Sequence, residues 1–202
     1  MLHFETIDPR TLRLLKELQS ESLFLGTRLV GGTALALQLG HRSSIDLDLF
    51  GSLQVQSEEI RVKLSDAHRL TVLKESDNIN IYLIDDVKVD FVNYKYGWID
   101  DAVRDEGISL AGIKDIAAMK IAAIIGRGSK KDFIDLYFLL RFFSLSDILD
   151  LYMLKYPDGS VFTAMKSLTY FEDAEPDPMP VMFEGIGWEA MKTTVLEAVK
   201  AL

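Results

Sequence analysis

The stretch Ile45-Asp46-Leu47-Asp48-Leu49-Phe50 alternates apolar and acidic residues with a period of two. That period predicts a β-strand over Ile45–Phe50, because successive side chains of a strand point to opposite faces. Asp46 and Asp48 then project from one face, while Leu47 and Leu49 enter the core. Neighbouring carboxylates repel each other, and a bound divalent cation would offset that cost. The alternative is a polar strand face in contact with water, and the isolated motif favours that alternative.

A glycine pair lies upstream of this strand. Gly31-Gly32-Thr33 follows a short extended segment, Arg28–Val30, and precedes a predicted helix, Thr33–Leu39. Glycines let a backbone approach phosphate closely, and a helix N-terminus supplies unpaired N–H groups. A plain turn is an equally good reading of Gly31-Gly32-Thr33 alone. Its place before the two aspartates favours a phosphate-binding loop beside a metal site.

The residues between the loop and the strand add two candidates. Arg42 is a candidate phosphate contact, and Ser44 lies on the approach to the aspartate pair. Downstream, Val87–Asn93 is predicted to be a strand of a hairpin, with Lys88 and Asp90 on one face. If this strand lies near the first, Asp90 completes a carboxylate triad as metal ligand or general base. The alternative for Asp90 is a solvated hairpin face.

Three charged residues stand out in the second half. Lys120 interrupts an apolar helix, predicted over Asp115–Ile125, and either reaches solvent or contacts an anion. Asp132 and Asp135 are three residues apart on the next predicted helix, Lys130–Phe143, and so share a face. Either aspartate has a functional role, or it caps the helix or pairs with a basic neighbour. For Asp135 we favour capping or pairing. The basic neighbours are Arg127, Lys130 and Lys131.

The order of elements predicts an α+β fold in one compact unit. Residues 1–110 contain the predicted strands, and residues 111–202 are predicted to be helical. Residues 110–141 carry six basic and three acidic side chains, whereas the whole chain of 202 residues has a net charge of −9. An acidic chain is a poor general binder of nucleic acid, so the basic stretch fits a single phosphorylated ligand.

Composition excludes several classes of protein. The chain has no cysteine and three scattered histidines, so a disulfide framework is excluded and a zinc site is not expected. A metal here is expected to bind through oxygen, which favours Mg²⁺, Mn²⁺ or Ca²⁺. No apolar run is long enough for a membrane span, and the first residues lack a signal-peptide pattern. We expect a cytoplasmic protein that does not contact a membrane.

Taken together and in this order, these motifs resemble nucleotidyltransferase-fold proteins, and more narrowly the AbiEii/AbiGii toxin family of bacterial toxin–antitoxin and abortive-infection systems. The resemblance spans about residues 28–140 and is carried by four segments: Leu29–Leu35, Gly40–Phe50, Asp115–Lys120 and Arg127–Tyr137.

The resemblance implies a small mixed sheet with flanking helices, followed by a helical lobe. It implies a magnesium-dependent (or manganese-dependent) nucleotidyltransferase that moves a nucleoside monophosphate from a nucleoside triphosphate, with GTP a candidate, to an acceptor hydroxyl. The tRNA 3′ end is a candidate acceptor, and an antitoxin protein is a candidate partner. In these terms Asp46 and Asp48 bind metal and act in catalysis, and Lys120 and Asp132 are catalytic. The implied phosphate-binding residues are Gly31, Gly32, Thr33, Arg42 and Ser44.

A second hypothesis comes from a different class of function. The chain could be a catalytically inactive module that binds a nucleotide or a protein partner without turnover. Both hypotheses predict binding, and only the first predicts a product. The joint presence of Asp46, Asp48, Lys120 and Asp132 favours the enzyme, because an inactive site need not keep all four.

Overall fold

A computed structural model describes residues 1–53 and 56–202 of the chain. The chain divides into two compact units. The first unit comprises residues 1–39, 44–95 and 102–111, and the second comprises residues 40–43, 96–101 and 112–202. The last crossing of the chain between the two units lies between Ala111 and Gly112, and two short earlier segments, residues 40–43 and 96–101, belong to the second unit. The predicted boundary at residue 110 and the single compact unit stay predictions.

The first unit is built on a seven-stranded mixed sheet with the strand order β3-β4-β5-β2-β1-β7-β6. Its strands are β1 (Thr27–Leu29), β2 (Leu47–Gly51), β3 (Leu70–Lys74), β4 (Ile79–Ile84), β5 (Val87–Asn93), β6 (Val103–Asp105) and β7 (Ile108–Leu110). Its helices are α1 (Pro9–Ser20), α2 (Gly31–Leu39) and α3 (Ser57–Ser65), with short 3₁₀ turns at Phe4–Thr6 and Ser22–Phe24. Strands β2 and β5 are parallel, and β5 is the second strand of an antiparallel hairpin with β4.

Several observed elements differ from the predicted ones. Strand β2 begins at Leu47, so Asp46 lies directly before the strand. Helix α2 begins at Gly31, two residues before the predicted start. The hairpin β6–β7 was not predicted. Its turn has Glu106 and Gly107 at positive φ, and its strands are too short to show a clear alternation in the sequence.

The second unit contains α4 (Ile113–Gly126), α5 (Lys130–Leu139), α6 (Leu145–Lys155), α7 (Val161–Leu168) and α8 (Trp188–Lys200). Helix α4 contacts α5, α6 and α7. Its alanines at 117 and 118 are fully buried, and such small side chains let neighbouring helices approach closely. The mixed α+β architecture predicted from the sequence is therefore confirmed.

A buried carboxylate explains why residues 96–101 group with the helices. Asp115 on α4 accepts hydrogen bonds from the backbone N–H groups of Ile99 and Asp100, both at 2.9 Å. The same carboxylate forms an ion pair of 2.6 Å with Lys155 on α6, and both side chains are fully buried. Because a buried charge is costly unless it is paired, these contacts fix the segment to α4 and α6.

Candidate functional site

Two aspartates lie side by side on adjacent central strands of the sheet. Asp48 on β2 and Asp90 on β5 are direct neighbours in the parallel register. The flanking residues Leu47 and Leu49 are fully buried, whereas Asp48 is only partly buried. Register neighbours of adjacent strands lie on the same face. The sheet therefore places both carboxylates on the face opposite the buried leucines, as expected for Asp90 if its strand lay beside the first.

Asp46 is held through its backbone. Its carbonyl accepts a short hydrogen bond from the Thr33 hydroxyl on α2, and that hydroxyl also lies 2.8 Å from the Ser44 Oγ. Thr33 is 1% exposed. Its hydroxyl therefore connects the first turn of α2 with the segment that enters β2. Phosphate binding by Thr33 and Ser44 stays a prediction; the contacts seen here hold the backbone around the aspartates.

Gly31 brings the backbone against Asp48. Its φ is +69°, and a β-carbon built on it would overlap the Oδ2 atom of Asp48. Only glycine meets both conditions without strain. The preceding residue, Val30, donates its N–H to the Asp48 carbonyl at 2.8 Å. The first turn of α2, with Gly31, Gly32 and Thr33, thus begins beside the Asp48 carboxylate, and the early N–H groups of a helix have no partner within it.

The donor set suits a hard cation with part of its coordination left open. Asp90 forms an ion pair of 2.6 Å with Lys88 on its own strand, so a metal at Asp90 must compete with this ammonium. Within residues 1–53 and 56–202, no three histidine, cysteine or acidic side chains group closely enough to enclose a metal. Mg²⁺ does not need such an enclosure, because it usually takes one or two carboxylates together with phosphate oxygens and water. A site of this open kind on Asp46 and Asp48 stays a prediction.

The second unit contains a buried cluster of charges around Lys120. The Lys120 Nζ lies 3.0 Å from Asp132 Oδ1 and 2.6 Å from Asp135 Oδ2. Both carboxylates are fully buried, and the Lys120 side chain is 4% exposed. Burial by itself lowers the pKa of Lys120, but the two carboxylates outweigh it, so the pKa is raised. Lys120 is therefore charged, and the anions that it contacts are the carboxylates of Asp132 and Asp135.

Asp132 is surrounded by donors. Arg127 donates from Nε at 2.8 Å and from Nη2 at 2.9 Å, and the Ser129 hydroxyl donates at 2.7 Å. Burial tends to raise the pKa of Asp132, but Lys120, Arg127 and Ser129 lower it to about 2. Asp132 is therefore a carboxylate at neutral pH. The predicted pairing with Arg127 is present.

Asp135 has partners far away in sequence. Arg42 donates from Nε at 2.7 Å and from Nη2 at 2.9 Å, and His41 Nε2 lies at 2.8 Å. Burial opposes ionisation, yet Arg42, Lys120 and His41 hold the pKa of Asp135 well below its usual value. The expected pairing of Asp135 with Arg127, Lys130 or Lys131 was wrong. The actual partner Arg42 is 93 residues away, so no local pattern could have indicated it.

Arg42 is 2% exposed in this arrangement. Residues 41–43 are themselves held by a β-bridge between Arg42 and Met182 and by a hydrogen bond from the Ser43 N–H to the Val181 carbonyl. Phosphate contact by Arg42 stays a prediction; its guanidinium makes a bidentate contact with Asp135 and also donates to the Ser43 carbonyl at 3.0 Å.

The predicted site residues thus form two groups, one in each unit. The sheet unit holds Asp46, Asp48, Asp90, Gly31, Gly32, Thr33 and Ser44, and the helical unit holds Arg42, Lys120 and Asp132. Sequence reasoning did not identify His41 as part of the charge cluster. Its position next to Arg42 was the only available signal.

Comparison with known proteins places these groups in context. The model of a family described as nucleotidyl transferase AbiEii toxin, type IV toxin–antitoxin system, matches residues 13–201. An uncharacterized protein of Aquifex aeolicus (strain VF5) is 38% identical over 180 residues, which cover 85% of each chain.

Solved structures share the fold at low identity. A crystal structure described as a putative nucleotidyltransferase from H. pylori has a TM-score of 0.65 at 20% identity and covers 95% of this chain and 91% of that chain. MenT4, a nucleotidyltransferase toxin (Rv2826c) from Mycobacterium tuberculosis H37Rv, has a TM-score of 0.62 at 17% identity, with coverage of 95% and 85%. Among the helices in the described part of the chain, none is long and apolar enough to cross a membrane.

Proposed function

Because the chain belongs to the AbiEii nucleotidyl transferase toxin family, we propose that it transfers a nucleoside monophosphate from a nucleoside triphosphate to an acceptor hydroxyl. The observation that carries the proposal is the placement of Asp48 beside Asp90 with the backbone of Gly31 against the Asp48 carboxylate. A partner antitoxin protein is part of the proposal, as the family's description implies.

We assign the metal site to Asp46 and Asp48, with Asp90 as a third ligand when Lys88 is displaced. A bound Mg²⁺ or Mn²⁺ would supply positive charge that orients the triphosphate and neutralises its oxygens. The chain's own contribution is rigidity. Thr33 holds the carbonyl of Asp46, and the register of β2 and β5 holds Asp48 next to Asp90. A site held in this way needs little reorganisation when the substrate binds.

The first turn of α2 is proposed to receive phosphate. The N–H groups of Gly31, Gly32 and Thr33 lie at the positive end of the helix dipole. In the proposed reaction an acceptor oxygen forms a bond to the α-phosphorus, and the bond from that phosphorus to the bridging oxygen breaks. Pyrophosphate leaves, and the acceptor hydroxyl loses its proton. The tRNA 3′ end is our candidate acceptor and GTP our candidate donor, while Arg42, Ser44, Lys120 and Asp132 retain their predicted roles.

Thermal unfolding tests the donor half of this proposal. The wild type and the Asp46→Asn/Asp48→Asn variant are melted with each of the four nucleoside triphosphates, with and without Mg²⁺. A ligand that binds only the native state stabilises it and so raises the melting temperature. At a ligand concentration of one hundred times the Kd, the free energy of unfolding increases by about 2.7 kcal/mol. We expect a metal-dependent rise for the wild type and none for the variant.

The matched control is Asp85→Asn/Asp86→Asn, which makes the same change of charge in the β4–β5 turn. Both residues have positive φ, which asparagine tolerates, and neither belongs to the proposed site. The control should keep the full ligand-dependent rise. Absence of a rise with every nucleotide in the wild type would sink the enzyme proposal.

A second candidate function rests on the burial of Lys120, Asp132 and Asp135. Side chains with at most 4% exposure that satisfy one another can serve structure alone, which suits a binding module without turnover. An assay for transfer of a labelled nucleotide to total RNA and protein distinguishes the enzyme from the binding module. Metal-dependent binding with labelled product supports the enzyme, and the same binding without product supports the module.

A further inference from the structure

One cation lies among the acidic side chains of the proposed site in the sheet. Lys88 and Asp90 are two residues apart on β5, so both side chains leave the same face of that strand. Val89 between them is fully buried on the opposite face. The register of β2 and β5 puts Asp48 beside Asp90. Lys88 is therefore on the face that carries the two neighbouring carboxylates.

The ammonium of Lys88 offsets a repulsion within this face. Its Nζ lies 2.6 Å from Asp90 Oδ1. Carboxylates that are direct cross-strand neighbours repel each other, and a nearby cation lowers that cost. On the other side of β5, the residues opposite Lys88 and Asp90 are Leu83 and Ile81 of β4, which carry no charge. Lys88 is hence the cation that β4 and β5 provide to this face.

The pairing of Lys88 with Asp90 can be exchanged at little cost. The Lys88 side chain is 42% exposed, and that of Asp90 is 18% exposed. Within residues 1–53 and 56–202, Asp90 is the one group with which Lys88 forms an ion pair. An exposed ion pair contributes little to stability, and a lysine ammonium sits on a flexible stem. A new ligand at Asp90 can therefore release Lys88 without any change in the strand register.

We propose that Lys88 holds the metal position at Asp90 before the substrate arrives and then binds a phosphate of the nucleoside triphosphate. This inference rests on the proposed function and names a further substrate-binding residue for it. When Asp90 becomes a metal ligand, Lys88 loses its partner, and the phosphate oxygens of the triphosphate replace it. An ammonium is a common partner of phosphate in proteins. Metal and nucleotide should therefore bind together more tightly than either binds alone.

The first measurement is binding of Mn²⁺ alone, followed by the electron paramagnetic resonance of free Mn²⁺ in the absence of nucleotide. Lys88→Met removes the competing ammonium and should lower the Kd for Mn²⁺ by about tenfold, the effect of one hydrogen bond to a charged group. Lys88→Arg keeps a cation beside Asp90 and should not tighten Mn²⁺ binding. Addition of Asp46→Asn and Asp48→Asn to Lys88→Met should abolish the binding.

The second measurement is the Kd of each of the four nucleoside triphosphates at saturating Mg²⁺, by equilibrium dialysis with labelled nucleotide. Here Lys88→Met should raise the Kd of the bound nucleotide by about tenfold, because its phosphate loses the ammonium. The two effects of this one substitution are opposite in direction. A purely structural role of Lys88 would weaken both kinds of binding or neither.

The matched control is Lys16→Met, which makes the same change of charge in the same unit. Lys16 forms an ion pair of 2.8 Å with Glu106, and its side chain is 37% exposed, close to the value for Lys88. Neither residue of this pair belongs to the proposed site. Both Kd values of the control should stay within about twofold of the wild type, because exposed charges outside the site are screened by salt.

Equal Mn²⁺ affinity in the wild type and Lys88→Met would overturn the inference, and so would an unchanged affinity for nucleotide. Absence of Mn²⁺ binding in every variant would overturn it as well. The proposed function is judged separately, by the metal-dependent melting shift of the wild type with nucleotide and by labelled product. A wild type that shows both keeps its proposed function whatever the result for Lys88.

Discussion

At the scale of single residues, Gly31 and Asp48 form the most restrictive contact of the sheet unit. Position 31 needs both a left-handed backbone and the absence of a β-carbon. Local sequence suggested a loop that approaches phosphate, and the structure adds that the same backbone is packed on a carboxylate. A glycine in this place serves the geometry of Asp48 whether or not phosphate is bound.

Gly31→Ala should therefore lose the metal-dependent melting shift and also destabilise the fold. The left-handed backbone alone costs an alanine about 1–2 kcal/mol, and the overlap with Asp48 Oδ2 adds to that. Gly107→Ala is the matched control, because its φ is +83° but nothing lies near its β-carbon position. Urea unfolding of both variants measures the difference. If Gly31→Ala is no less stable than Gly107→Ala, the packing against Asp48 has no energetic importance.

His41 gives a second residue-scale prediction. Burial lowers its pKa, so between its usual value of 6.5 and the lower folded value the unfolded chain binds a proton that the folded chain does not. Stability from this residue is therefore complete above pH 6.5 and is lost as the pH falls through that window. His41→Gln should flatten the stability curve below pH 6.5, as measured by urea unfolding. His3→Gln, which replaces a partly exposed histidine, is the comparison variant, and equal flattening in both variants would contradict the role of His41.

At the scale of elements, the charge cluster joins α4 to α5 through a set of ion pairs and hydrogen bonds. Lys120 comes from α4, and Asp132 and Asp135 come from α5 one turn apart. Asp135 alone receives Arg42, His41 and Lys120. Hydrophobic contacts could pack the two helices in several ways, whereas this cluster is satisfied only when the partners meet in one register.

Asp135→Asn should cost about 3–5 kcal/mol of stability, the usual cost of removing one partner from a buried ion pair. Chemical denaturation monitored by circular dichroism gives the value. Glu106→Gln removes the carboxylate from the exposed pair with Lys16, which lies at 2.8 Å, and should change stability by less than about 1 kcal/mol. A comparable loss in both variants would contradict the special role of the buried cluster.

At the scale of the whole molecule, the acidic balance and the buried carboxylates set the response to acid. The net charge is −9, and the two buried carboxylates of the cluster are matched by the buried cations of Lys120 and Arg42, so acidic side chains elsewhere carry the excess. The carboxylates of the cluster have a much larger effect, because their partners remain positively charged when they are neutralised.

The folded protein should therefore resist mild acid and lose stability steeply below pH 4. The pKa of Asp132 is about 2 in the fold and 3.8 in the reference state, so its contribution of about 2 kcal/mol is present above pH 4 and lost as the pH falls to 2. Melting curves from pH 5 to 2 measure this slope. Asp132→Asn should be less stable at pH 5 and show a shallower slope, while Asp158→Asn at an exposed position should follow the wild type.

Much of the architecture was predictable from neighbouring residues. The alternation at 45–50 predicted β2, the apolar runs predicted β3 to β5, and the helix at 130 was placed correctly at its start. The resemblance in the motifs to the AbiEii family was confirmed. Strand ends and the hairpin β6–β7 were missed, because a strand of three residues has too little pattern and depends on the strand that it joins.

The sequence by itself determined the fold class and the family, because periodicity, glycine positions and motif order are properties of nearby residues and survive without any tertiary contact. Only the tertiary structure decided the partners of the charged side chains. Asp48 meets Asp90 because β2 and β5 pair in one register, and Asp135 meets Arg42 across 93 residues. A buried ionic group takes whichever partner the packing brings within reach, and that choice is made by the assembled elements rather than by the local sequence.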